Sequence, residues 1–287
     1  MTSFDPRLTP ARPDLAAAHL AEEVAAARYV EGRPMHLAIE LADLRTAPSY
    51  EAGVASQVLY GENLLLYEAH EGWGWVQLET DRYVGYLPLA ALAEGKAEVS
   101  HRVTAKRTFV YPRPDIKVPI LGALPLGATV KVVSADGNFG QLESGGFVIA
   151  LHLMRLDAKA EDFVTVAEGF SGAPYLWGGK SSLGLDCSGL VQIALAQTGV
   201  TAPRDTDLQQ QALGETLPVQ TADGPLDRGD LVFWKGHVGI MRDHEILLHA
   251  NAHHMLVASE PLATVRDRVR AKGGGDITAI KRLRRLA

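Results

Sequence analysis

The run Leu185-Asp186-Cys187-Ser188-Gly189-Leu190-Val191 holds the only cysteine of this 287-residue chain. Asp186-Cys187-Ser188-Gly189 leads into Leu190-Val191-Gln192-Ile193-Ala194-Leu195-Ala196, so the spacing predicts a helix beginning at or near Cys187. A thiol placed there sits at the positive end of the helix dipole. Free thiols titrate near ~8.5, and at a helix N-terminus beside an imidazolium roughly 3.5–7.5 is expected. Downstream, His237 and His249 each lie in a short apolar stretch that reads as a strand. One thiol and two imidazoles in that order are the parts of a nucleophile, its base and the group that orients the base. A lone cysteine is more commonly a buried structural residue, so the histidines must separate the two readings.

Arg242-Asp243-His244 is a polar break between apolar runs, as expected of a hairpin loop. With that loop, His237 and His249 fall directly opposite each other, with Cβ atoms about 4.5–5.5 Å apart. His237 is then the general base toward Cys187, and His249 fixes its tautomer. From spacing alone, two unrelated surface histidines fit equally well. His244, His249, His253 and His254 also cluster in sequence, but without a cysteine partner or a helical His-x-x-x-His pair. No metal is therefore expected.

Composition bounds the partners. A hydrophobic fraction of 47% can build a sizeable core, and a net charge of -6 argues against nucleic acid or an acidic membrane surface. Lys281-Arg282-Leu283-Arg284-Arg285 is basic but reads as a solvated tail. With one cysteine there is no intrachain disulfide and no need of an oxidising compartment. The N-terminal residues lack a secretory pattern, and no run approaches the ~18–20 apolar residues of a membrane span. The expectation is a cytoplasmic protein with no obligate protein partner.

Outward from the cysteine, texture divides the chain into four parts. Residues 1–33 are expected to be a helical segment, with an Ala-rich helix over 14–31 and Asp14 as its N-cap. Residues 34–95 and 96–157 show short alternating runs broken by turn residues, the pattern of small β domains. They also repeat: Trp75-Val76-Gln77-Leu78-Glu79-Thr80 recurs as Phe139-Gly140-Gln141-Leu142-Glu143-Ser144 at an offset of 64 residues. That suits two tandem small barrels. Residues 158–287 run helices first (161–168, from 187, 205–212) and strands afterwards (230–234, 237–241, 245–249, 255–259), an α+β order.

Arg45-Thr46-Ala47-Pro48, the Trp75-Val76-Gln77-Leu78 run and Tyr83-Val84-Gly85-Tyr86 resemble the bacterial SH3-like (SH3b) domain. In the second copy Phe147-Val148-Ile149-Ala150 replaces the aromatic pattern, which suits a scaffold. Tyr175-Leu176-Trp177-Gly178-Gly179, Asp186-Cys187-Ser188-Gly189, Gly229-Asp230-Leu231-Val232-Phe233-Trp234, His237-Val238-Gly239-Ile240 and His249-Ala250 resemble the NlpC/P60 cysteine peptidases. The resemblance implies a multidomain chain: two all-β SH3-like barrels, then an α+β papain-like domain with no cofactor. By motif it makes Cys187 the nucleophile, His237 the base and His249 the third polar residue. Tyr175 and the Cys187 N–H would stabilise the oxyanion, while Asp186 and Ser188 would contact substrate. Pro203-Arg204-Asp205-Thr206 reads as a structural helix start, and Trp177 and Trp234 as core aromatics.

SH3b domains ahead of such a domain resemble the γ-D-glutamyl-L-diamino acid endopeptidases, or dipeptidyl-peptidases VI. That implies murein peptides as partners: cleavage between γ-D-Glu and the diamino acid of stem peptides with a free N-terminal L-Ala, in peptide recycling. Glu62 and Tyr83 are the barrel residues expected to meet the amine. A secreted DL-endopeptidase or lysin acting on polymeric wall, and a non-catalytic wall-peptide-binding module, stand as alternatives.

Overall fold

Apolar residues at every second position from Leu41 to Arg45 bury Ala42 and Leu44 and leave their neighbours half-exposed, the period of a strand with one face on a core. In the computed structural model, which describes residues 4–283, this is one of seven strands in the larger sheet of the first of two compact units. The first unit ends at Ala158 and the second starts at Lys159. Across that sheet the order is Val54–Leu59, Leu41–Arg45, Val84–Pro88, Trp73–Leu78, Asn63–His70, Arg33–Leu37 and Leu92–Glu94, all antiparallel neighbours. Its core gathers Leu37, Leu44, Val58, Leu64, Val76 and Leu87.

Residues 101–155 carry shorter pieces with a core of their own, around Val103, Leu124, Val130, Leu142 and Val148. The two halves of this unit meet at Tyr60-Gly61. The Thr129 N–H donates to the Tyr60 carbonyl at 2.9 Å, and Gly61 has φ +80°. A Cβ on Gly61 would stand 2.2 Å from the Thr129 carbonyl oxygen, so only glycine permits this approach.

The N-terminal helix expected over 14–31 does not form. Among the described residues this stretch holds two parallel two-residue strands, Ala16–Ala17 and Tyr29–Val30, and one 3₁₀ turn, Ala18–Leu20. Asp14 does not cap a helix; its carboxylate accepts from Arg12 Nη2 at 2.7 Å. Leu15, Ala17 and Leu20 instead pack on Tyr67 and Trp75 of the sheet, with the Arg12 guanidinium 4.3 Å from the Trp75 ring centroid. Burying these apolar groups against the sheet outweighs alanine's helix propensity, which is the highest of any residue but small beside tertiary packing.

The second unit matches the expected α+β order: α1 (Phe163–Glu168), α2 (Cys187–Gln197) and α3 (Thr206–Ala212), then a six-stranded antiparallel sheet. Its order is Glu215–Leu217, Ala279–Arg282, Leu231–Trp234, His237–Met241, Ile246–Asn251 and Leu256–Pro261. Residues 187–195 of α2 are buried throughout, so this helix is enclosed rather than amphipathic. A fourth helix, α4 (Leu262–Ala271), follows the last of the expected strands. The solvated tail expected from Lys281 is also corrected. Ala279–Arg282 is an interior strand, Lys281 is buried, and Arg282 Nη2 lies 2.7 Å from Asp230 Oδ2. Arg284 and Arg285 lie outside the described residues.

Candidate active site

The site starts at the helix cap. Asp186 is the N-cap of α2, and its carboxylate accepts from the Gly189 N–H at 2.7 Å and the Gly178 N–H at 2.9 Å. Gly189 is obligatory for space: a Cβ there would lie 2.1 Å from the Gly179 carbonyl oxygen. The motif's serine-glycine step thus lets the helix start press against the Trp177-Gly178-Gly179 turn. Arg204, fully buried, grips Asp186 with two nitrogens at 2.9 and 2.6 Å and donates to Ser188 Oγ at 2.9 Å. Ser188 Oγ in turn donates to Asp186 Oδ1 at 3.3 Å. Both residues expected to touch substrate are therefore engaged first in holding the nucleophile's helix. A substrate amine at Asp186 would join a carboxylate already bound to Arg204, Gly178, Gly189 and Ser188.

Cys187 is the first residue of α2, buried, with the backbone N–H groups of Val238 and Ser188 facing its sulfur. Burial, reinforced by the Asp186 charge, pushes its thiol up to about 12 despite those N–H groups and Arg204. The depressed pKa expected from the helix dipole is thus corrected, because desolvation of the thiolate outweighs the dipole. His237 moves the other way. Burial, followed by the charges of His249 and Arg268, lowers its imidazole to about 3, against a raising influence from Glu260. The resting pair is neutral thiol and neutral imidazole.

His237 and His249 are brought together, though not by the expected register. Ile240 pairs with Leu248 and Met241 with Leu247, which continued along the strands sets His237 opposite Asn251. The cause is the loop. The N–H groups of Glu245 and Ile246 both donate to Asp243 Oδ1, and the Arg242 N–H donates to the Ile246 carbonyl, so Arg242 sits opposite Ile246 and the turn is Asp243 to Glu245, one residue later than expected. The histidines meet on the diagonal instead, with His237 Nε2 2.8 Å from His249 Nδ1 and ring centroids 5.0 Å apart.

Tyr175 is half-buried, bridges to Leu185 and faces the charges of Cys187 and Asp186. Burial, then those charges, raises its phenol to about 12, so it remains a donor at neutral pH. Trp234 is a core residue as expected, but Trp177 is 70% exposed and is not. Glu62 and Tyr83 belong to the first unit. Glu62 is half-buried in the turn after Gly61, its N–H on the Leu59 carbonyl, and Tyr83 is buried in the core of the seven-stranded sheet.

Sequence reasoning missed Glu260, Arg268 and the depth of Arg204. Glu260 Oε1 lies 2.9 Å from His249 Nε2, and Arg268 Nη2 and Nη1 donate to its two oxygens at 2.6 and 2.5 Å. Burial pushes the Glu260 carboxyl up, but Arg268 and then His249 outweigh it and hold the group well below the usual carboxylate range. An acid on an inward-facing strand position, eight residues before an arginine, was the available signal.

Residues 172–268 match the NlpC/P60 family, and residues 44–92 match the bacterial dipeptidyl-peptidase Sh3 domain. Dipeptidyl-peptidase 6 of Lysinibacillus sphaericus is 28% identical over 235 residues, spanning 74% of this chain and 85% of that protein. Gamma-D-glutamyl-L-lysine dipeptidyl-peptidase of Bacillus subtilis (strain 168) is 28% identical over 220 residues, 71% of each. In fold, the crystal structure of an NlpC/P60 family protein from Bacillus cereus ATCC 10987 superposes with a TM-score of 0.73 at 20% identity, covering 87% of this chain and 99% of that one. The chain thus carries an NlpC/P60 cysteine peptidase domain, holding its one cysteine, behind an SH3 domain.

Proposed function

We propose that this peptidase hydrolyses the γ-D-Glu–diamino acid bond of peptidoglycan stem peptides that carry a free N-terminal L-Ala, and serves murein peptide recycling in the cytoplasm. The observation that carries the chemistry is the His237–His249 contact on the strand whose next residue, Val238, turns its N–H to the Cys187 sulfur. His237 takes the thiol proton as Sγ attacks the scissile carbonyl carbon. The Cys187 N–H and the Tyr175 hydroxyl stabilise the oxyanion. His237 then returns the proton to the departing amine of the diamino acid, and water hydrolyses the thioester.

The names of the relatives above support the bond, and the net charge of -6 with a single cysteine suits a cytoplasmic role. Asp186 and Ser188 are the groups of the catalytic unit read as meeting the peptide's amine end. We read 96–157 as a second SH3-like barrel serving as scaffold. The repeat supports this: Trp73–Leu78 answers Phe139–Leu142, and the 3₁₀ turn Leu89–Ala91 with strand Leu92–Glu94 answers Ala150–His152 with Leu153–Arg155.

The test is a pair of peptides, L-Ala-γ-D-Glu-meso-diaminopimelate and its N-acetylated form. Cleavage of the first alone supports the reading. Equal cleavage of both, or clearing of purified sacculi, places the enzyme on polymeric wall instead.

A further inference from the structure

Beyond the expected cysteine and two histidines, the buried chain of contacts continues through His249 to a carboxylate and its counter-ion. His249 is 1% exposed, and its Nε2 is 2.9 Å from Glu260 Oε1. Glu260 sits on the Leu256–Pro261 strand, clamped from α4 by Arg268 at both oxygens, with His254 Nε2 3.2 Å from Oε2. An ionised carboxylate only accepts hydrogen bonds. His249 must therefore present Nε2–H to it, which in a neutral ring leaves Nδ1 bare. That bare nitrogen is 2.8 Å from His237 Nε2, which must then be the donor. A neutral His237 with its proton on Nε2 has its lone pair on Nδ1. We propose that Glu260 is a positioning residue of this peptidase: through His249 it fixes the tautomers of both imidazoles, leaving His237 Nδ1 as the base for Cys187, and it stabilises the imidazolium that forms there.

The proton balance is closed. The S–H bond of Cys187 breaks, an N–H bond forms at His237 Nδ1, and the positive charge so created faces Glu260 through one intervening ring. Without the carboxylate, His249 is free to carry its proton on Nδ1 and donate to His237 Nε2. His237 would then hold its own proton on Nδ1 and could not take another, the wrong-tautomer state that disables a histidine base. The resting site makes this charge matter. Thiol and imidazole are both neutral at rest, so the ion pair is made during reaction and depends on what stabilises it. The charged and titratable groups facing the two rings are Glu260, Arg268 and His254, and those facing the thiol are Asp186, Arg204 and the Tyr175 phenol. Of these, Glu260 is the anion in direct contact with the imidazole chain.

The inference rests on reading Cys187 and His237 as nucleophile and base, and the experiment separates the two. Cys187 is the only cysteine, so iodoacetamide alkylation at pH 7 reports the reactivity of this thiol alone, whatever the substrate. The purified full chain is compared with E260Q, R268M and H237A. E260Q is expected to alkylate on the order of tenfold more slowly and to lose kcat on L-Ala-γ-D-Glu-meso-diaminopimelate by about a hundredfold, with KM within about twofold. E260Q with alkylation and kcat both within about twofold of the parent overturns the proposal. If E260Q does not fold, R268M decides. It keeps the carboxylate and removes only the cation, so alkylation at or above the parent rate supports the proposal, and a fall overturns it. H237A alkylating as fast as the parent would overturn the base assignment itself, and with it this proposal. A slowed H237A beside an unaffected E260Q would overturn the role of Glu260 alone.

Discussion

At Cys187, the helix dipole and the N–H groups of Val238 and Ser188 favour a thiolate, while burial disfavours it, and burial wins. Peptidase turnover should therefore vanish in Cys187→Ala and in His237→Ala, with far-UV circular dichroism unchanged; activity surviving either would refute the assignment. The same two groups each contribute to the stability–pH profile. Unfolded imidazole takes up a proton near ~6.5, whereas His237 in the folded chain does so only near about 3. Between those values the unfolded chain binds more protons, so His237 makes stability fall as pH drops from about 6.5 toward 3. On the alkaline side an unfolded thiol ionises near ~8.5, and the folded one near about 12. Stability should fall as pH rises above about 8.5, and Cys187→Ala should abolish that thiol contribution. Urea titrations of parent and variant across this range would show it.

Among the elements, α2 depends on a buried ion pair and on a glycine. The side chains of Arg204 and Asp186 are only 1% and 10% exposed. Arg204→Met leaves the Asp186 charge buried without its counter-ion and should cost about 3–5 kcal/mol of unfolding free energy. Gly189→Ala forces a methyl group against the Gly179 carbonyl and should cost about 1–3 kcal/mol, read from the urea midpoint. The elements were legible in the sequence where residue type and period agreed, as in α2, α3 and the Leu231–Trp234 and His237–Met241 strands. The 14–31 stretch misled because its leucines bury against a sheet formed by later residues, which no local period encodes. The hairpin register was off by two because Asp243 turns its carboxylate back on two N–H groups and moves the three-residue turn on by one, to 243–245. The Cys187 helix start and the His237 and His249 strands were legible through their motifs. Glu260 was not, because only the folded sheet sets it beside His249.

For the whole molecule, the decisive feature is the strand Ala279–Arg282, seated between Glu215–Leu217 and Leu231–Trp234. Its Ile280 belongs to the same core as Val232, Trp234, Met241 and Leu247. Truncation after Lys272 should therefore leave the catalytic unit unfolded, with loss of its near-UV signal and of all hydrolysis. A truncated chain that keeps both would show the strand to be dispensable. Folding during synthesis proceeds from the N-terminus, yet this sheet cannot be completed until residue 282 is free of the ribosome. The nucleophile at 187 is thus made long before the sheet that supports its base can be finished. A nascent chain should gain hydrolytic power only once that strand has emerged, so a polypeptide stalled or broken before it should be harmless to the peptides around it.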